Sequence, residues 1–141
     1  MQDINFKRLI AEDIALMKNI IESDGKKFLP QNIEKFLADD RVYAFGVKIN
    51  NKIMGLIYGY SLIRMDNKPM FYIHEVDILP EYQNMGIGSK FIKYVIEYAK
   101  DNGFSKCFLI TEKKNYRACR IYEKAGGINT NDDEIVYSYK F

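Results

Sequence analysis

The fold is decided by the run Val76-Asp77-Ile78-Leu79-Pro80-Glu81-Tyr82-Gln83-Asn84-Met85-Gly86-Ile87-Gly88-Ser89. An apolar strand pattern ends at Pro80, a polar loop with two glycines follows, and a helical pattern begins after it. A strand that passes through such a loop into the first turn of a helix aims unpaired backbone N–H groups and the positive end of the helix dipole at one place. Phosphate is favoured there, and Gly86 and Gly88 let the backbone approach an anion where a Cβ would obstruct it. The common nucleotide motifs do not fit. Gly86-Ile87-Gly88 lacks the third glycine of a dinucleotide fingerprint, and Ser89-Lys90 reverses the Lys-Ser/Thr order of a P-loop.

Upstream, Met70 to Leu79 reads as a long strand preceded by a polar turn at Arg64 to Pro69. Before it, Arg41 to Ile49 and Lys52 to Leu62 flank Asn50-Asn51, which predicts a hairpin. Ile4, Phe6 and Arg8 alternate as a short first strand. From Ala11 to Ser23, Ile14, Leu16, Met17, Ile20 and Ile21 recur at helical spacing, with Gly25 as the stop. A second short helix opens at Pro30 and carries Ile33, Phe36 and Leu37. Downstream, Phe91, Ile92, Val95, Ile96 and Ala99 form the apolar face of a helix that ends before Gly103. Phe104 to Thr111 is a strand, Asn115 to Ala125 a helix, and Glu134 to Phe141 alternates as a final strand. Antiparallel strands feeding a strand-helix-strand crossover predict an α/β (α+β) fold with one mixed, mostly antiparallel sheet and helices on its faces.

Composition sets the outer bounds. With 141 residues, 48% of them hydrophobic, the chain is expected to form a single domain over 1–141 around one core. Lys and Arg number 21 against 19 Asp and Glu, so the net charge of +2 gives no broad field for nucleic acid, and none is expected as a partner. Cys107, Cys119 and the lone His74 offer no spacing for a tetrahedral zinc site, so no metal is expected. Met1 to Arg8 carries no signal or transit pattern and no apolar run spans a membrane. The expectation is a cytoplasmic protein with reduced thiols and no membrane partner.

On a strand, side chains two apart share a face, so Glu75 and Asp77 project together while His74, Val76 and Ile78 point the other way. Mutual repulsion and partial burial would raise the pKa of at least one of these acids toward that of a useful base. The same parity predicts a packed core histidine at 74. Cys119 is assigned no role, and Lys113, Lys114, Arg117, Arg120 and Lys124 form a solvated basic face beside it.

Gln83-x-x-Gly86-x-Gly88 after such a strand resembles the acetyl-CoA pyrophosphate loop of the GCN5-related N-acetyltransferase (GNAT) family. Asn115-Tyr116-Arg117-Ala118-Cys119-Arg120-Ile121-Tyr122-Glu123-Lys124-Ala125-Gly126 is similar to that family's Asn-x-x-Ala-x-x-x-Tyr-x-x-x-Gly segment. Gly127 stands where the family usually has a bulky apolar residue. The resemblance implies acetyl-CoA as cosubstrate and a splayed parallel strand pair that holds its pantetheine arm. Ile78, Leu79, Gln83, Asn84, Met85, Gly86, Ile87, Gly88, Ser89 and Asn115 are the cofactor-binding residues it implies. Tyr122 matches the tyrosine that gives a proton to the departing thiolate. Glu75 matches an acidic position favoured as the base, directly or through water, with Asp77 the runner-up. Phe36-Leu37, Val42 to Phe45, Met54 to Tyr60 and Phe71 to Val76 are also similar to type I aminoglycoside 3-N-acetyltransferases. The implied reaction is acetyl transfer to a primary amine of an aminoglycoside-like or other small cationic molecule. The alternatives are a protein or peptide acceptor and a non-catalytic acetyl-CoA-sensing module. A homodimer is expected from the family's habit of strand exchange and from the aromatic content.

Overall fold

In the computed structural model residues 3–141 are described; Met1 and Gln2, at the start of the N-terminal reading, lie outside them. The strands are β1 (Ile4–Arg8), β2 (Val42–Ile49), β3 (Lys52–Leu62), β4 (Met70–Ile78) and β5 (Lys106–Leu109). They form one sheet in the order β1-β2-β3-β4-β5, antiparallel except for the β4–β5 pair. Four α-helices accompany them: α1 (Lys18–Ser23), entered through a 3-10 segment at Ala11–Met17, α2 (Pro30–Ala38), α3 (Ile87–Asp101) and α4 (Tyr116–Lys124).

Local chemistry explains most boundaries. Asn50 and Asn51 both take positive φ, at 50° and 63°, which gives the two-residue hairpin turn a twist matching its strands. The 3-10 segment starts where Asp13 accepts a hydrogen bond from the Ile10 amide at 2.9 Å, and that buried carboxylate is also paired with Lys7. Helix α4 closes in a Schellman motif: the Gly126 amide bonds the Glu123 carbonyl and the Gly127 amide bonds the Tyr122 carbonyl, both at 2.9 Å. This accounts for the second glycine, because a Cβ at 127 would stand 2.9 Å from the Tyr122 carbonyl oxygen.

The core lies between the sheet and α3. Phe45, Ile57 and Phe71 meet Phe91, Ile92 and Val95, and Phe6 stacks on Phe91 with 5.6 Å between ring centroids. Burying each such side chain contributes about 2 kcal/mol. On the opposite face α1 and α2 cover Leu56 and Tyr58, with Phe36 edge-on to Tyr58 at 5.0 Å. The mixed sheet with helices on both faces is therefore as expected.

Two expectations are corrected. Glu134 to Phe141 forms no strand; Ile135, Val136, Tyr137, Tyr139 and Phe141 are exposed along an unpaired tail. Alternation shows that a segment can be a strand, but it becomes one only when laid along a partner, and the tail lies along neither edge of the sheet. His74, expected in the core, is exposed and donates to or accepts from the Tyr72 hydroxyl at 3.2 Å. The cause is a β-bulge: Tyr58 pairs with Glu75 and Gly59 with Ile73, which leaves His74 as the extra residue. The bulge needs Gly59, where a Cβ would lie 2.0 Å from the Tyr72 carbonyl oxygen. Phe71 and Ile73 face the α3 core, and after the bulge Glu75 and Asp77 share the α1–α2 face with His74.

Candidate acceptor and cofactor site

The acids project into a cleft of about 270 Å³ between the sheet and the α1–α2 segment. Its walls are apolar, formed by Met17, Ile20, Ile21, Leu29, Ile33, Phe36 and Leu56. Its polar lining includes Asp24, Lys26, Tyr58, Glu75 and Asp77. Oxygens of Asp24, Glu75 and Asp77 come within 4.8 Å of one another, close enough to share one cation. The Lys26 ammonium takes that place, bonded to Glu75 and 3.1 Å from Asp24. Burial lowers the Lys26 pKa, but hydrogen bonds to Glu75 and Asp24 outweigh it and the net shift is upward. Asp77 is pushed up to about 7, first by burial, then by the charges of Glu75 and Asp24. Tyr58 rises to about 12, chiefly by burial and then by the charge of Glu75.

Beyond the pairing of Ile73 with Leu109, β4 continues to Ile78 with no β5 partner, so the parallel pair parts beside the acids. At its end Leu79 gives its amide to the Met54 carbonyl and accepts from the Tyr82 amide, so both its backbone groups are engaged within the chain. The Gln83 side chain donates to the Ile78 carbonyl at 2.8 Å and braces the loop against the strand. Asn84 and Gly86 take positive φ, 61° and 78°, and Gly86 caps α3. The first-turn amides of Ile87, Gly88 and Ser89 have no intrahelical acceptor and point out of the helix end. The Ser89 hydroxyl donates to the Gly86 carbonyl at 3.2 Å, and the Met85 side chain is exposed.

The two glycines act differently. A Cβ at Gly86 would meet no atom within 4 Å, so this position is open and needs glycine for its φ. A Cβ at Gly88 would meet Ile121 at 3.2 Å and Ile78 at 3.4 Å. Gly88 therefore packs the start of α3 against α4 and the end of β4, in addition to any role toward an anion.

Helix α4 presents Tyr122, half-buried, with no hydrogen-bond partner for its hydroxyl among the described residues. Burial raises its pKa, followed by the charges of Cys119 and Asp77, so Tyr122 and Asp77 share one electrostatic neighbourhood. Asn115 caps α4, its side-chain oxygen accepting from the Ala118 amide at 3.2 Å. It also lines an open hollow of about 640 Å³ at the end of β5 with Ile110, Thr111, Glu112 and Lys114.

This arrangement of loop, splayed strands and helix can be set against known proteins. A family model described as "Acetyltransferase (GNAT) family" matches residues 10–127. The chain belongs to this family. Among GNAT relatives, a thialysine N-epsilon-acetyltransferase of Bos taurus is 36% identical over 88 residues, covering 62% of this chain and 50% of the relative. A spermidine N(1)-acetyltransferase of Escherichia coli (strain K12) is 24% identical over 132 residues, covering 89% of this chain and 67% of the relative. The chain spans about half the length of the thialysine enzyme. An aminoglycoside N-acetyltransferase solved in complex with CoA has the same fold, with a TM-score of 0.82 at 12% identity over 99% of this chain and 96% of the other.

The family-model match ends at Gly127, where the Schellman motif closes α4. Sequence reasoning singled out Glu75, Asp77 and Tyr122; the first two line the α1–α2 cleft, and Tyr122 stands on α4, which packs against α3, within reach of the Asp77 charge. It missed Asp24, Lys26 and Tyr58. Gly25 marked the turn that carries Asp24 and Lys26, but their approach to β4 spans about fifty residues of sequence and has no local signature.

Proposed function

We propose that the chain is an acetyl-CoA-dependent N-acetyltransferase that moves the acetyl group from the thioester to a primary amine of a small cationic acceptor by direct attack. The observation that carries this reading is the position of Asp77. A carboxylate with its pKa near 7 stands in an apolar-walled cleft beside the unpaired end of β4.

The residues present fit acetyl-CoA. The free amides of Ile87, Gly88 and Ser89, the open space at Gly86 and the unpaired edge of β4 are a cradle for a pyrophosphate and an extended amide arm. When bound, acetyl-CoA supplies an activated acyl carbon and a thiolate leaving group. Glu75 and Asp24 hold the acceptor's ammonium, and Asp77 takes the proton that makes it a nucleophile. This reverses the order implied by the resemblance, which favours Glu75 as base. Tyr122, close enough to feel the Asp77 charge, returns a proton to the departing sulfur.

The relatives named for thialysine and spermidine support an acceptor with an amine on an aliphatic arm, and the apolar walls suit such an arm. We further infer that residues 1–141 work as one domain, in the cytoplasm, where Cys107 and Cys119 remain free thiols. No helix among the described residues is long and apolar enough to cross a membrane. A homodimer is inferred from the exposed apolar tail, since the outer edge of β5 has no strand neighbour among the described residues.

The test is a pH profile of kcat/KM with a diamine acceptor. Below about pH 7 Asp77 is protonated and cannot accept a proton, so the wild-type rate falls on the acid side. Asp77→Asn should lose that limb together with most of the rate, whereas Glu75→Gln should raise KM and keep it. Loss of the limb in Glu75→Gln alone gives the base role to Glu75, and its retention in both variants overturns both assignments.

A further inference from the structure

The chemistry above gives no part to Lys26, although it lines the acceptor cleft and bonds to Glu75. It extends from the turn between α1 and α2 and places its ammonium on Glu75 and Asp24. The groups facing it are Asp24 from the end of α1, Tyr58 from β3, Glu75 and Asp77 from β4, and Lys27 from its own turn. Three carboxylates would be a costly group to hold together without a cation, and Lys26 supplies one. What the chain has put there is a primary ammonium on an unbranched four-carbon arm, reaching along apolar walls. These are the features the cleft would require of an acceptor.

The ammonium is also open to solvent. Its side chain is 45% exposed, and the turn hinges on Gly25, at φ 76° with nothing within 4 Å of a Cβ. We propose that Lys26 is an internal occupant of the acceptor's ammonium site, displaced when the acceptor enters, so that the chain's own lysine sets a threshold the acceptor must exceed. The inference rests on the reading of Asp24, Glu75 and Asp77 as the acceptor site. It assigns that site a ligand class: molecules ending in an unhindered primary ammonium on a flexible aliphatic arm. A monocation that merely replaces Lys26 gains little. A dication gains a second contact, because its far end remains near an acidic cluster that still carries uncompensated charge.

Titration calorimetry of the whole chain with 1,5-diaminopentane, without acetyl-CoA, tests this. Lys26→Met keeps the apolar stem and removes the ammonium; it should bind the diamine about five- to tenfold more tightly than wild type. Lys26→Arg, which still occupies the site, should bind like wild type. Lys27→Met removes the same charge from the next residue and should change affinity less than about twofold. Equal affinity of wild type and Lys26→Met overturns the proposal, as does an equal gain from Lys27→Met, which would reduce the effect to general electrostatics. The outcome separates from that of the transfer reading. Tighter binding to Lys26→Met with no amine acetylated would leave Lys26 as the occupant and remove the enzyme assignment. Loss of the acid limb in Asp77→Asn with no effect at Lys26 would do the reverse.

Discussion

Asp77 is held at a cost to the fold, and the cost has a sign. Its folded pKa, about 7, lies above the ordinary 3.8, so the folded state binds that proton more tightly than the unfolded chain does. Stability from this group is therefore fully present below about pH 4 and is lost as pH rises toward 7. Asp77→Asn should melt about 3 °C or more above wild type at pH 8, and the difference should vanish near pH 4. Calorimetry at the two pH values checks this, and a gain that persists at pH 4 would point to packing instead of charge. Tyr122 belongs to the same neighbourhood, and the acid role proposed for it is separable from that of Asp77. Tyr122→Phe should lower kcat more than tenfold while acetyl-CoA affinity measured by calorimetry hardly moves, because the ring and its packing remain. Unchanged kcat would remove the acid role. At this scale the sequence already exposed the paired acids of β4, since acids on an otherwise apolar strand are visible in one dimension. Asp24 and Lys26 were hidden because their partners come from a different part of the chain.

Among the elements, α3 was legible from its period, its glycine stop and its polar face, and the hairpin from Asn50-Asn51. The bulge in β4 was not, because Ile73-His74-Glu75 continues an unbroken strand pattern and the extra residue is defined only by what lies across the ladder. Gly59 is the residue that permits it. Gly59→Ala should cost at least about 2 kcal/mol in urea unfolding, since the new Cβ meets a backbone carbonyl that cannot rotate away. The same variant should lose activity in the fraction that folds, because the acids depend on the bulge for their face. Wild-type stability in this variant would show that the strands can separate locally without harm.

At the scale of the whole molecule, the proposed dimer rests on the tail. Ile135, Val136, Tyr137, Tyr139 and Phe141 are 71–120% exposed, a run that a solitary chain has little reason to leave in water. Light scattering should give twice the 16.5 kDa chain mass, and Val136→Glu with Tyr139→Glu should return a monomer; a wild-type monomer at working concentration would end the dimer reading. The bulge has a last consequence, which concerns the strand's reading frame. Phe71 and Ile73 are core residues at odd positions, whereas Val76 and Ile78 pack toward the core at even ones. His74 is the residue that absorbs the change of parity. Its deletion would leave strict alternation with every other side chain on its own face, whereas deletion of Val76 would turn Asp77 inward. The strand thus carries one spare letter, and it stands immediately before the pair of acids whose placement matters most.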